Sequence, residues 1–147
     1  MNYLYDTKIL IYIIKRHVSA LALENEIDAD RGKNLKIISI VSKGEMESLV
    51  LQFKWDEKRI ELLESLLNQF LIVPIDSEQI VKAYADLDAF SQGKHPTNKS
   101  TFSSRNMGKN DLWIGATALV TGSTLITSDK DFDHLNNVFF PVRKLRV

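Results

Sequence analysis

The sequence predicts an α/β fold, a three-layer α/β/α sandwich around a central, mainly parallel sheet of four or five strands. Short runs of β-branched and apolar residues alternate along the chain with amphipathic segments of helical period. One of these runs, Leu35–Val41, is apolar on both faces, which is typical of a strand covered by helices on both sides. No repeat or linker interrupts the alternation, so residues 1–147 are expected to form one domain.

The individual elements follow from local patterns. Tyr3–Tyr5 predicts a short first strand, which we place at the centre of the sheet. Leu71–Ile75 predicts an edge strand, because Pro74 cannot donate a hydrogen bond to a neighbouring strand. In chain order, the other predicted elements are helices over Thr7–His17 and Ser19–Ala29, a turn over Asp30–Asn34, the strand Leu35–Val41, helices over Ser42–Phe53, Asp56–Phe70, Ser77–Ser91 and Asp111–Thr121, and strands over Thr124–Thr127 and Val138–Val142.

Composition and charge exclude some classes of site without assigning a function. The net charge is zero, so only a local charge pattern could predict binding to nucleic acid or to a membrane. The absence of cysteine excludes disulfides and thiolate metal sites, and it fits a reducing compartment. The apolar run Ile9–Ile14 is too short to span a bilayer, and it follows an acid rather than the basic residues of a signal peptide. We therefore expect a cytoplasmic protein with no membrane contact.

Four acidic residues occupy equivalent places around the predicted strands. Asp6 follows the first strand, Glu45 follows the second, and Asp129 follows the fourth. Asp111 opens the apolar helix that leads into that fourth strand. Each acid alone has an ordinary explanation at a helix start, and Ser42–Glu45 matches a capping box. Together they are expected in one crevice, because the carboxyl ends of parallel strands share one edge of the sheet. Clustered carboxylates repel each other unless a cation lies among them, and hard oxygen ligands favour Mg²⁺ or Mn²⁺.

The order of these motifs resembles that of the PIN-domain ribonucleases, and within them it is most similar to the VapC-type toxins of bacterial toxin–antitoxin pairs. The resemblance rests on Asp6-Thr7 after the first strand, Glu45 after the second, N-D-L-W-I-G-A-T-A-L at positions 110–119 and L-I-T-S-D-K-D-F at positions 125–132. It implies an endoribonuclease that uses Mg²⁺ or Mn²⁺, forms a homodimer and is held in check by a protein antitoxin. Its catalytic and metal-binding residues would be Asp6, Glu45, Asp111 and Asp129, with Asp131 and Thr127 as accessory residues.

One position departs from the family pattern. Such proteins usually have Asn or Ser two residues after the first Asp, whereas this chain has Lys8. Two alternatives to a nuclease follow. The first is a non-catalytic PIN-like module that binds RNA or acts as an adaptor. The second is a phosphatase of the haloacid-dehalogenase type, which ranks low because it needs a second Asp where Lys8 stands.

A basic loop precedes Asp111, the third of the four candidate acids. The polar segment Gly93–Gly108 has no acidic residue, and the interval between Asp88 and Asp111 contains four basic residues, Lys94, Lys99, Arg105 and Lys109. We interpret this interval as a guide for an RNA backbone, with Lys8, Arg105 and Lys109 as candidate phosphate-binding residues and Phe102 available for base stacking. A solvated loop whose charge bias is accidental is the competing interpretation.

Overall fold

The structure, a computed structural model, describes residues 1–30 and 32–147 and contains a sheet of five parallel strands. Arg31, in the predicted turn Asp30–Asn34, lies outside the described residues. The order across the sheet is β3-β2-β1-β4-β5, so β1 is central and β3 is an edge, as predicted. The strands are β1 (Asn2–Tyr5), β2 (Leu35–Ser39), β3 (Leu71–Val73), β4 (Thr124–Thr127) and β5 (Val142–Lys144).

Helices occupy the connections between the strands. In the described chain they are α1 (Thr7–Ile14), α2 (Val18–Asp28), α3 (Ile40–Gln52), α4 (Glu57–Leu67), α5 (Glu78–Ser91), α6 (Lys109–Thr121) and a 3₁₀ helix over Lys130–Leu135. None of these helices is long and apolar enough to cross a bilayer.

The sheet is buried on both faces, as the pattern of Leu35–Val41 predicts. On one face, Leu4 and Ile37 pack in a core with α5 and α6. On the other face, Tyr5 and Ile38 pack in a second core with α1, α2 and α4. Successive strand residues alternate between the two cores because side chains of a strand point to opposite faces. The predicted three-layer α/β/α architecture is therefore confirmed.

Helix α6 packs very closely against α5. A Cβ atom at Gly115 would lie 3.1 Å from Leu87 Cδ1, so a side chain there would displace its neighbour. The helix ends at Gly122, whose φ of 61° is the left-handed conformation common at helix C-termini. The same helix carries Asp111 in its first turn.

The second strand is shorter than predicted and the helix after it begins earlier. β2 ends at Ser39, whose side chain accepts a hydrogen bond from the Val41 backbone N–H and so caps α3. Ser42 and Glu45, whose spacing matches a capping box, therefore lie inside the helix rather than at its start. Apolar residues on both faces extended the strand prediction through Val41, although a Ser is a strong helix-start signal in its own right. Glu45 consequently lies in the second turn of α3 rather than at its start.

The C-terminal segment also differs from the prediction. The last strand is Val142–Lys144 rather than Val138–Val142. The backbone N–H groups of Val138 and Phe139 donate to the Leu135 carbonyl, and Asn137 has a φ of 60°, so this stretch is a turn. The 3₁₀ helix before it was not predicted. The strand was misplaced because a short apolar run does not distinguish a strand from a packed turn.

Candidate active site

A cleft opens at the carboxyl edge of the sheet, where the chain reverses its direction of winding. β1, β2 and β3 proceed to one side, whereas β4 returns to the other side of β1, and clefts of open α/β sheets form at such points. The cleft has a volume of about 710 Å³. The structure brings the four predicted acids, Asp6, Glu45, Asp111 and Asp129, to its walls.

Asp6 is the most buried of these acids, with 4% of its surface exposed. Its Oδ1 accepts a hydrogen bond from the Thr7 backbone N–H at 2.8 Å, and its Oδ2 accepts one from Thr127 Oγ1 at 2.8 Å. Burial raises the pKa of Asp6, the charges of Asp129 and Glu45 raise it further, and the two hydrogen bonds oppose this rise. The carboxylate is thus fixed in place, and charge is concentrated around it.

Thr127 connects two of the acids. This fully buried residue ends β4, and its hydroxyl donates to Asp6 while accepting a hydrogen bond from the Asp129 backbone N–H at 3.0 Å. A hydroxyl can do both because it carries one donor and two acceptor lone pairs. Thr127 therefore links the positions of Asp6 and Asp129, and its accessory role in catalysis stays a prediction.

Glu45 reaches the cleft from α3. Its Oε1 accepts a hydrogen bond from Thr7 Oγ1 at 2.8 Å, and the same hydroxyl lies 2.8 Å from the buried Ser42 Oγ. Thr7 therefore contacts Asp6 through its backbone and Glu45 through its side chain. Sequence reasoning missed Ser42 in this role, because the Ser was interpreted as a helix cap.

Asp111 has a strongly raised pKa. It is the third residue of α6 and is half-buried. Burial first, and then the charges of Asp6, Asp129, Asp131 and Glu45, raise its pKa to about 7. The four other acids act on Asp111 in the same direction, which shows that the cleft is short of positive charge.

Asp131 lies closer to the other acids than an accessory role suggests. Carboxylate oxygens of Asp111, Asp129 and Asp131 all lie within 4.8 Å of one another. The Asp131 backbone N–H also donates to Asp129 Oδ1 at 2.9 Å, which closes the turn that begins the 3₁₀ helix. Because the sequence offered no prediction of this turn, it gave no reason to group Asp131 with the principal acids.

The three predicted RNA-binding residues lie in different surroundings. Lys8 lines the cleft, and its Nζ is 3.8 Å from Asp129 Oδ2. Lys109 is exposed at the first position of α6, two residues before Asp111. Arg105 is also exposed, its guanidinium lies 5.8 Å from the centre of the Phe102 ring, and its backbone N–H donates to the Ser91 carbonyl. Only Lys8 among them borders the acids directly.

Comparison with known proteins gives a family and a fold. The family model described as PIN domain matches residues 3–138. No curated protein matches the sequence. The chain is similar to VapBC2 from Rickettsia felis bound to a DNA fragment from their promoter, with a TM-score of 0.80, 23% identity and coverage of 99% of this chain and 100% of that chain. It is also similar to VapBC-1 from nontypeable Haemophilus influenzae, with a TM-score of 0.68, 24% identity and coverage of 98% of both chains. A third similar structure is VapBC-5 from Mycobacterium tuberculosis, with a TM-score of 0.61, 21% identity and coverage of 99% and 98%.

Proposed function

This chain belongs to the PIN domain family, and we propose that it is an endoribonuclease that hydrolyses RNA phosphodiester bonds with Mg²⁺ or Mn²⁺. The observation that carries the proposal is the concentration of carboxylates in one cleft, where burial and then the charges of the neighbouring acids raise the pKa of Asp111 to about 7. The proposed catalytic and metal-binding residues are Asp6, Glu45, Asp111 and Asp129.

The donor set fits a hard divalent cation. Every ligand candidate is a carboxylate oxygen, the type that Mg²⁺ and Mn²⁺ prefer. Two oxygen ligands of one Mg²⁺ lie at most about 4 Å apart, so the oxygens of Asp111, Asp129 and Asp131, within 4.8 Å of one another, need only small side-chain movements to share an ion. We therefore include Asp131 among the residues that could contact the metal. When bound, such a metal lowers the pKa of an attacking water and offsets charge on the phosphoryl oxygens.

The chain's own residues supply positioning and charge. Thr127 and Thr7 hold Asp6 and Glu45 in fixed orientations, so the carboxylates need little reorganisation before they act. Arg105, in the segment before α6, and Lys109, at the start of α6, are both exposed and would bind the phosphates that flank the cleaved bond. Water and substrate both have access, because the acids line an open cleft rather than a closed cavity.

We also propose partners from the comparisons. Similar structures are VapBC complexes, one of them described as a member of the VapBC family of toxin–antitoxin systems. By this similarity the chain would be the toxin, its partner a protein antitoxin that covers the cleft, and its own assembly a homodimer. Residues 1–147 would act as one domain in the cytoplasm, where RNA is the substrate.

A second candidate function is favoured by the contact of Lys8 with Asp129. A cation already lies 3.8 Å from one of the proposed ligands, and it could keep a divalent ion from binding productively. In that case the protein would be a non-catalytic PIN-like module that binds RNA or acts as an adaptor.

An RNA cleavage assay in Mg²⁺, in Mn²⁺ and in excess chelator tests the proposal. We expect cleavage by the wild type that chelator abolishes, and none by Asp6→Asn, which keeps the volume but removes a charge. Asp76→Asn is the matched control, because Asp76 is an exposed acid after β3 that does not line the cleft. Equal cleavage by Asp6→Asn and wild type would refute the metal-nuclease assignment. RNA binding without cleavage in either metal would support the adaptor module.

A further inference from the structure

Lys8 is the cation nearest the acids of the cleft. It is the second residue of α1, and the Nζ–Oδ2 distance to Asp129 is 3.8 Å. Within residues 1–30 and 32–147, no other ion pair involves Asp6, Glu45, Asp111 or Asp129. The cleft therefore contains one positive side chain against its acids.

The geometry of this pair indicates a contact that can exchange. At 3.8 Å the ammonium is beyond hydrogen-bond distance of the carboxylate, and 58% of the Lys8 side chain is exposed, against 19% for Asp129. An exposed pair of this kind contributes little to stability on its own. In the part of the chain that the structure describes, Asp129 is the one charged partner of the Lys8 ammonium.

The position of Asp129 makes this exchange important for a metal. One of its oxygens lies within 4.8 Å of carboxylate oxygens of Asp111 and Asp131, an arrangement that could hold a metal ion. A divalent ion at that group would carry two positive charges toward the ammonium, which carries one. The ion and Lys8 would therefore repel each other, so each would weaken the contact of the other with Asp129.

We propose that Lys8 is a tethered competitor of the divalent metal at Asp129, so that the protein binds Mg²⁺ or Mn²⁺ more weakly than its acids alone would allow. This inference rests on the proposed function, because it needs the cleft to bind a metal. In the metal-free protein, Lys8 offsets part of the carboxylate repulsion. Metal binding displaces the ammonium from Asp129 and leaves it exposed at the rim of the cleft.

Calorimetric titration of the purified full-length chain with Mn²⁺ tests the inference without any activity measurement. The variants are Lys8→Met, which keeps the length of the side chain without its charge, and Lys8→Arg, which keeps the charge. Lys15→Met is the matched control, because Lys15 is an exposed residue at the end of the same helix and does not line the cleft. Circular dichroism verifies that each variant is folded.

We expect Lys8→Met to bind Mn²⁺ about tenfold more tightly than wild type, the order expected when one positive charge is removed beside a metal ligand in a solvated site. Lys8→Arg and Lys15→Met should match wild type. If wild type binds Mn²⁺ and Lys8→Met binds it no better, the inference is overturned while the proposed function stands. If neither wild type nor Lys8→Met binds Mn²⁺, both the inference and the proposed metal site are wrong.

Discussion

Two clusters of charged side chains lie on the same sheet and differ in how their charges are balanced. Near the amino end of β2, Lys36 is buried and donates to Glu24 Oε2 at 3.0 Å, Asp28 Oδ1 at 3.1 Å and Gln69 Oε1 at 2.9 Å. The Tyr5 hydroxyl donates to the other oxygen of Glu24. Each of the three hydrogens of the ammonium has an acceptor, so the cluster is complete without any further group.

The cleft at the carboxyl edge has the opposite balance. Acids from the ends of β1 and β4 and from helices α3 and α6 converge there. Lys8 pairs only with Asp129, at a distance longer than any hydrogen bond of the Lys36 ammonium. The pKa values of Asp6 and Asp111 rise as a result of burial and of repulsion from their neighbours. The ammonium of the first cluster thus has all its partners, whereas the acids of the second repel one another until a cation joins them. Removing one charged group should therefore lower the free energy of unfolding in the Lys36 cluster and raise it in the cleft.

The largest effect is expected from Lys36→Met. Removing the ammonium leaves the buried Glu24 carboxylate without a cationic partner, so the free energy of unfolding should fall by about 3 kcal/mol. Urea unfolding measures the change. Lys58→Met, at an exposed position of α4, is the control and should stay within about 0.5 kcal/mol of wild type. Equal stabilities of the two variants would mean that the Lys36 cluster does not hold the fold together.

Thr127→Val tests the support of the cleft. The change preserves the shape of the side chain but removes the donor to Asp6 and the acceptor for the Asp129 N–H. The free energy of unfolding should therefore fall by about 1–2 kcal/mol. Mn²⁺ affinity should fall as well, because the two acids lose their common anchor. Thr124→Val, at the other end of β4, should leave Mn²⁺ affinity unchanged. If Thr127→Val bound Mn²⁺ as tightly as wild type, Thr127 would have no role in positioning the metal-binding acids.

Asp111→Asn should stabilise the metal-free protein. Because the pKa of Asp111 is raised to about 7 in the folded chain, the folded state retains a proton that the unfolded state has lost. The free energy of unfolding of the wild type should therefore decrease as pH rises from about 4 toward 7. In Asp111→Asn the contribution of Asp111 to this decrease should be absent. Since Asp111 is only half-buried, we expect a difference of about 1 kcal/mol above pH 7. Urea unfolding in chelator between pH 5 and 8 measures this difference in stability, with Asp76→Asn as the control. If Asp111→Asn were less stable than wild type at pH 8, this prediction would be contradicted.

The smallest effect concerns the charges outside both clusters. Arg105→Gln and Lys109→Gln each remove one candidate phosphate contact at an exposed position. In chelator, the affinity for single-stranded RNA should fall a few-fold, and the slope of log K against log salt should drop by about 0.7 for each lost contact. Fluorescence anisotropy measures both quantities. If Lys82→Gln, on the exposed surface of α5, has the same effect, the basic loop has no special role in binding RNA.

The sequence predicted those features that depend on local pattern. The central position of β1 and the edge position of β3 followed from alternation of strands and helices and from Pro74. The convergence of Asp6, Asp111 and Asp129 followed from topology, because parallel strands bring their carboxyl ends together. Glu45 also reached the cleft, although from the second turn of α3 rather than from a helix start.

Features that depend on packing were not predictable. The Lys36 cluster joins residues from β2, α2 and the end of α4, and no spacing in the sequence indicates that they meet. Asp131 lies near Asp111 and Asp129 because a 3₁₀ helix, which has no strong sequence signal, follows Asp129. The last strand shifted because Asn137 adopts a positive φ, which apolar runs do not indicate.

The measurement closest to the central claim is the free energy of unfolding with and without metal. If the cleft is destabilising until a cation joins it, millimolar Mn²⁺ should raise the stability of the wild type by roughly 1–3 kcal/mol relative to chelator. Asp129→Asn should show no such increase, because it removes an oxygen ligand from the closest group. A wild type whose stability is the same in Mn²⁺, Mg²⁺ and chelator would contradict the account, since its acids would then need no cation.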